Sequence, residues 1–116
     1  MPAPLVGVLA IMRDKGYEEM LASLLPLLDD VVCTQPAEAR SLPADALAAA
    51  VTASAAASGR RGLTVAVEPD PHAALALART HAGAEGSVLI AGSLFLLEDL
   101  RDALSPSIYL RETRER

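Results

Sequence analysis

Cysteine, lysine and aromatic residues are scarce in this 116-residue sequence, and the shortages narrow what the chain can be. The lone Cys33 allows no disulfide framework within one chain and suits a reducing compartment. Seven glycines and eight prolines are too few for a collagen-like repeat. No uninterrupted apolar run approaches the roughly 20 residues that span a bilayer. The Met-Pro-Ala-Pro start has no positive region of the secretory kind, so the expectation is a cytoplasmic protein with no membrane segment. Net charge is −5, and the nine arginines are scattered except for Arg111, Arg114 and Arg116, which alternate with Glu112 and Glu115 in a solvated tail. That balance argues against nucleic acid as a partner. A Gly-x-x-x-x-Gly-Lys-Ser/Thr phosphate loop, a Gly-x-Gly-x-x-Gly fingerprint and a Gly-x-Ser-x-Gly elbow are all missing, which excludes nucleotide binding and serine chemistry by those routes. No acidic pair follows the first apolar run and no lysine the last, which excludes a phosphoacceptor receiver domain.

What is present is apolar. Hydrophobic residues make up 52% of the chain, with 23 alanines and 19 leucines, so it is not disordered. A chain of this length buries roughly two thirds of its unfolded surface without metal or disulfide support and forms one domain, residues 1–116. Four short, continuous apolar runs, 5–10, 31–34, 63–67 and 88–91, have the character of parallel strands covered on both faces. Helices are expected between them. The first runs from Lys15 or Gly16 to Leu28 with Asp14 as N-cap, and Met20, Leu21, Leu24, Leu25 and Leu28 form its apolar face. The second covers about 43–57 and stops at Gly59, its alanine-rich run being a good helix former. The third opens on Asp70-Pro71, an N-cap with proline at the first position, and ends at Gly83. The fourth follows Ser93, buries Leu96, Leu97, Leu100 and Leu104, and ends at Ser105-Pro106. Residues 107–110 read as a short edge strand, with 105–116 as edge strand and tail. The alternation gives an α/β fold: an open, mainly parallel sheet with helices on both faces.

In such sheets ligands bind beyond the carboxyl ends of the strands. Those ends carry Arg13-Asp14-Lys15, Thr34-Gln35, Glu68-Pro69-Asp70 and Gly92-Ser93. Lys15 is the only lysine, and a compact ammonium differs in geometry from the guanidinium used elsewhere. Ser93 opens a helix, where it either caps the chain or borders an anion site. Arg40 follows the second strand and could pair with a carboxylate through two bonds. His72 and His81 lie nine apart and read as surface residues rather than metal ligands, and Cys33 reads as an inert core thiol.

Four segments, in order, resemble the folylpolyglutamate synthase/dihydrofolate synthase family. Residues 7–21, GVLAIMRDKGYEEML, are similar to its strand, Asp-Lys-Asp loop and helix. Residues 31–47, VVCTQPAEARSLPADAL, are similar to the next strand, its Pro-Arg-Ala loop and the helix after it. Residues 69–78 resemble an Asp-x-x-x-Ala-Leu-x-x-Ala helix, and 88–97, VLIAGSLFLL, the Val-Leu-Val-Thr-Gly-Ser-Leu-Tyr-Leu segment. The likeness covers about residues 5–104. Gly16 stands in place of the family's second Asp, and Ala39 in place of the Pro before the Arg.

The resemblance implies a Rossmann-like, Mur-ligase-type C-terminal domain, here without the family's first strand-helix unit and without the central ATPase domain. It implies ATP-dependent ligation of glutamate to folate through an acyl phosphate, with ATP and Mg2+ used by the full-length enzyme and neither held tightly by this chain alone. Asp14 and Lys15 match the family's cleft loop, Arg40 its loop arginine and a candidate for the glutamate carboxylate, and Ser93 the serine after the last strand. None of them is implied to be catalytic, no metal ligand is expected, and the isolated chain is expected to be inactive. The partners implied are the missing N-terminal and central ATPase region, folate, glutamate and ATP. An alternative is a free-standing, non-catalytic α/β binding or interaction module of the same fold. The absence of the first strand leaves an unprotected sheet edge, which predicts either homodimerisation or a missing partner.

Overall fold

In the computed structural model, which describes residues 3–13, 16–103, 109 and 110, the apolar runs form one sheet. Strand β1 is Leu5–Leu9, β2 Asp30–Cys33, β3 Thr64–Val67, β4 Ser87–Ala91 and β5 Tyr109–Leu110. Their order across the sheet is β3-β2-β1-β4-β5, and every neighbouring pair runs parallel. The first two connections build outward from β1 on one side, and the third crosses back to put β4 on the other. The chain therefore reverses its winding between β1 and β4, the point where open α/β sheets place their ligands. Strand β1 is flanked on both sides, by β2 and β4, and among the described residues the end strands are β3 and β5.

Continuous apolar strands need cover on both faces, and the helices supply it. Helix α1, Glu18–Leu24, runs into a 3-10 turn, Leu25–Leu27, and shares one face with α2, Ala44–Ala57. Between them Leu9, Leu21, Leu25, Leu28, Val31, Cys33, Leu47 and Val51 are buried. Helix α3, Pro71–Ala82, and α4, Leu94–Leu100, cover the other face, where Val6, Val8, Val32, Ala74, Leu75, Ile90, Leu96 and Leu100 meet. Alanine at positions 74 and 78 brings the α3 backbone close to the sheet, which uses the composition noted above.

Helix α1 departs from expectation. It starts at Glu18 rather than near Lys15, and its N-cap is Tyr17, which makes no side-chain capping bond. Asp14, the expected cap, lies outside the described residues. Pro26 lacks the N–H that an α-helix needs, and the chain tightens into the 3-10 turn around it. The Asp70 cap and Pro71 start of α3 are as expected, with Asp70 Oδ2 accepting from the Ala73 N–H at 2.9 Å. Leu104, Ser105 and Pro106, the first half of the expected edge strand (107 and 108) and residues 111–116 lie outside the described residues. Only Tyr109–Leu110 is described as strand, paired with β4. Among the described residues no helix is long and apolar enough to cross a membrane.

Candidate functional site

The loops leaving the carboxyl ends of β1, β2 and β4 are laced together. After β1 the chain stays extended, and Met12 forms an antiparallel bridge with Ser41. The Arg13 N–H donates to the Arg40 carbonyl at 2.7 Å, the Leu42 N–H to the Ile11 carbonyl at 2.8 Å, and Arg13 Nη2 to the Ser41 carbonyl at 3.3 Å. Arg40 is thus tied by its own backbone to the residue that precedes Asp14. Asp14 and Lys15 themselves lie outside the described residues.

Inside the β2–α2 loop, polar side chains bond to backbone. Thr34 is fully buried, and its hydroxyl donates to the Pro69 carbonyl at 3.0 Å, joining this loop to the one after β3. Gln35 Oε1 accepts from the Ala44 N–H at 2.8 Å and so caps α2 from nine residues upstream. The buried Ser41 hydroxyl donates to the Pro36 carbonyl at 3.2 Å. Across the edge, Asp99 Oδ2 on α4 accepts from the Ala37 N–H at 3.1 Å. The loop is held at both ends and in the middle, which fixes where Arg40 stands.

The Arg40 side chain is 59% exposed, donates through Nε to Glu38 Oε1 at 3.1 Å, and lies with Cζ 5.9 Å from the centre of the Phe95 ring. The ring shares the α4 start with Ser93, so the structure brings Arg40 and Ser93 to one end of the sheet. Ser93 acts as a cap: it is buried, and its Oγ accepts from the Phe95 N–H at 3.1 Å. The turn into it is made by Gly92 at φ 113°, against the backbone of Ala10. Glu38 is a weak partner for Arg40, because exposed ion pairs contribute only about 0–1 kcal/mol. A guanidinium has five N–H donors, and among the described residues only Nε is bonded here. Arg40 can therefore accept a ligand carboxylate at little cost.

A cavity of about 590 Å³ lies beside this edge, walled by residues 35–37, 69–72 and Asp99. The carboxylates of Asp70 and Asp99 and the Gln35 carbonyl in its wall already accept backbone N–H bonds, so they serve the loops. His72 and His81 are both exposed. Cys33 is fully buried in β2, and that burial pushes its thiol up from 9.0 to about 12, which keeps it protonated and unreactive at neutral pH. Among the described residues no three or more His, Cys, Asp or Glu stand together as a metal site.

Sequence reading placed Gln35 at a strand end without its capping role and missed Glu38, Phe95 and Asp99. Phe95 had one available signal, an aromatic in an aromatic-poor chain placed two residues after an N-cap. The others act through contacts that no local pattern announces.

The family model described as Mur ligase, glutamate ligase domain, matches residues 1–94. A solved structure of Mycobacterium tuberculosis folylpolyglutamate synthase complexed with ADP and AMPPCP superposes with a TM-score of 0.70 at 27% identity, covering 89% of this chain and 24% of that one. A second, of the same enzyme complexed with ADP, gives 0.70 and 28% over 88% of this chain and 24% of that one. The chain thus spans about a quarter of the length of these proteins. No curated protein matches it in sequence.

Proposed function

Because the chain belongs to the family of Mur ligase glutamate ligase domains, we propose that it is the C-terminal portion of an ATP-dependent ligase that adds glutamate to folate, working in the cytoplasm. The observation that carries this reading is Arg40: an exposed guanidinium on a braced loop at the sheet's winding reversal, weakly held by one carboxylate. In the proposal Arg40 releases Glu38 and takes a carboxylate of the incoming glutamate in a two-bond pair. Phe95, with its ring centre 5.9 Å from the guanidinium carbon, adds a cation–π contact. By the resemblance alone Asp14 and Lys15 are proposed for the same cleft, and Ser93 supports it by fixing the start of α4.

The chain's part is to bind and orient. Held by its carboxylate, glutamate presents its amino group to an activated folate carboxyl formed elsewhere in the protein. ATP supplies the phosphoryl group for that activation. The described residues offer neither a phosphate loop nor a cluster of metal-binding side chains, so they do not fit Mg2+, and no step is assigned through it. The partner proposed for this chain is the ATPase-bearing region that the matched enzymes contain beyond the quarter it spans.

The test is ligation of glutamate to folate in the presence of ATP, by the natural gene product and by the 116-residue chain alone. Activity is expected from a gene product that contains the ATPase region and none from the chain by itself. A measurable rate from the chain alone, or no ligation by such a gene product, overturns the proposal.

A further inference from the structure

Arg13 and Arg40 face each other across the segments that leave β1 and β2, and we infer that together they bind a dicarboxylate. Arg40 holds one carboxylate of the incoming glutamate and Arg13 holds the other. The identity of this ligand rests on the ligase reading; the facing pair of guanidiniums does not.

The juxtaposition is set by backbone. The bonds from the Arg13 N–H to the Arg40 carbonyl at 2.7 Å and from the Leu42 N–H to the Ile11 carbonyl at 2.8 Å flank the antiparallel Met12–Ser41 bridge. In that register Arg13 stands opposite Arg40, and residues facing each other this way have Cα atoms about 5.5 Å apart. Met12 and Ser41 are buried, at 8% and 4% exposure, so their side chains take the inner face. Side chains alternate along an extended segment, and Arg13 and Arg40 are both exposed on the outer one.

Like charges directly opposite each other across such a pairing are destabilising. Among the described residues little offsets that repulsion. Arg40 shares the Glu38 carboxylate through Nε, and Arg13 forms no ion pair. The Arg13 side chain bonds through Nη2 to the Ser41 carbonyl at 3.3 Å, which draws its guanidinium over the segment that carries Arg40. Its other N–H donors make no bond among the described residues.

Two guanidiniums on a braced backbone suit two anionic groups. Each matches one carboxylate through a planar two-bond pair, and glutamate carries two carboxylates on a short aliphatic chain. A ligand with a single carboxylate leaves one guanidinium beside its like-charged neighbour with no anion between them. Selectivity for a dicarboxylate then comes from penalising the wrong ligand as well as from binding the right one.

Glutarate and pentanoate, which differ only in the second carboxylate, are the probes. In steady-state ligation by the natural gene product, glutarate should compete with glutamate about 10–100-fold more tightly than pentanoate. Arg13→Ala should remove most of that preference by raising Ki for glutarate, with Ki for pentanoate and KM for ATP unchanged. A residue that merely braced Arg40 would weaken both probes alike. Arg13→Gln keeps an N–H donor for the Ser41 carbonyl without the charge and should behave in the same way, so the test stands even if Arg13→Ala misfolds. Equal weakening of both probes overturns the inference, as does a wild type indifferent between them. So does a rise in KM for ATP alone, in which case the pair serves phosphate. Thermal unfolding separates this inference from the ligase reading. Glutarate should raise the midpoint more than pentanoate does, and Arg13→Gln should cancel the difference, whether or not the protein ligates glutamate. That pattern without ligation sinks the ligase reading alone, and ligation with the two probes indistinguishable sinks the inference alone.

Discussion

Replacing Gly92 with alanine tests how the carboxyl end of the sheet is built. Gly92 has φ 113°, a conformation that residues with a Cβ rarely adopt, and such strain costs about 1–3 kcal/mol. The added methyl would also lie far inside contact distance of the Ala10 carbonyl oxygen and 3.1 Å from its carbon. Neither atom belongs to a flexible side chain, because both are backbone of the fully buried Ala10 that follows β1. The β1 and β4 ends must therefore separate, which costs a further 1–3 kcal/mol or about that. The expected loss is about 2–6 kcal/mol, against a total of about 5–15 kcal/mol for an ordinary domain. Gly59→Ala is the control: φ is 73°, but nothing lies within 4 Å of the new methyl, so only backbone strain of about 1–2 kcal/mol applies. In urea unfolding followed by circular dichroism, with a slope of about 2 kcal/mol/M, Gly92→Ala should lower the midpoint by about 1–3 M. A Gly92→Ala midpoint equal to or above that of Gly59→Ala would refute the close-contact argument.

Three further outcomes follow from named contacts. Arg60→Ala removes the guanidinium that bonds the carbonyls of Leu25 at 3.3 Å and Leu28 at 2.6 Å at the end of the 3-10 turn, and urea unfolding should show a loss of about 1–3 kcal/mol. Asp70→Ala deletes the α3 cap and should cost about 0.5–2 kcal/mol in the same assay, with Asp70→Asn retaining most of it. Cys33 gives a pH signature. Its thiol titrates at about 12 in the native chain and 9.0 when unfolded, so the native state holds its proton longer. Stability owed to Cys33 is complete below pH 9 and falls as pH rises between 9 and 12, by up to about 1.4 kcal/mol per pH unit. Cys33→Ala should flatten that alkaline slope, and equal slopes in both proteins would contradict the burial argument.

Much of the fold was legible because its signals are local. Each of the four main strands is a continuous apolar run, and their observed ends differ from the expected ones by a residue or so. Asp70-Pro71 marks the α3 start because cap and proline act within one turn. The α1 start was misplaced because nothing at Tyr17 distinguishes it as a cap, while Asp14 has a capping side chain upstream. The site was legible only in part. Arg40 could be picked out from its loop, but its partners could not. Phe95 is 55 positions away, and the Asp99 bond that braces the loop spans 62. Gln35 caps α2 across nine residues, outside the span in which helix caps are recognised. These contacts exist because a parallel sheet gathers distant loops at one end, and the sequence of any one loop does not record which others it will meet.

The central claim is that Arg40 holds the carboxylate of the incoming glutamate. Steady-state ligation by the natural gene product, with glutamate and ATP varied in turn, tests it directly in wild type and Arg40→Ala. A charge-assisted hydrogen bond contributes about 1.5–3 kcal/mol, so KM for glutamate should rise by about 10–100-fold while KM for ATP is unchanged. An unchanged KM for glutamate would contradict the claim.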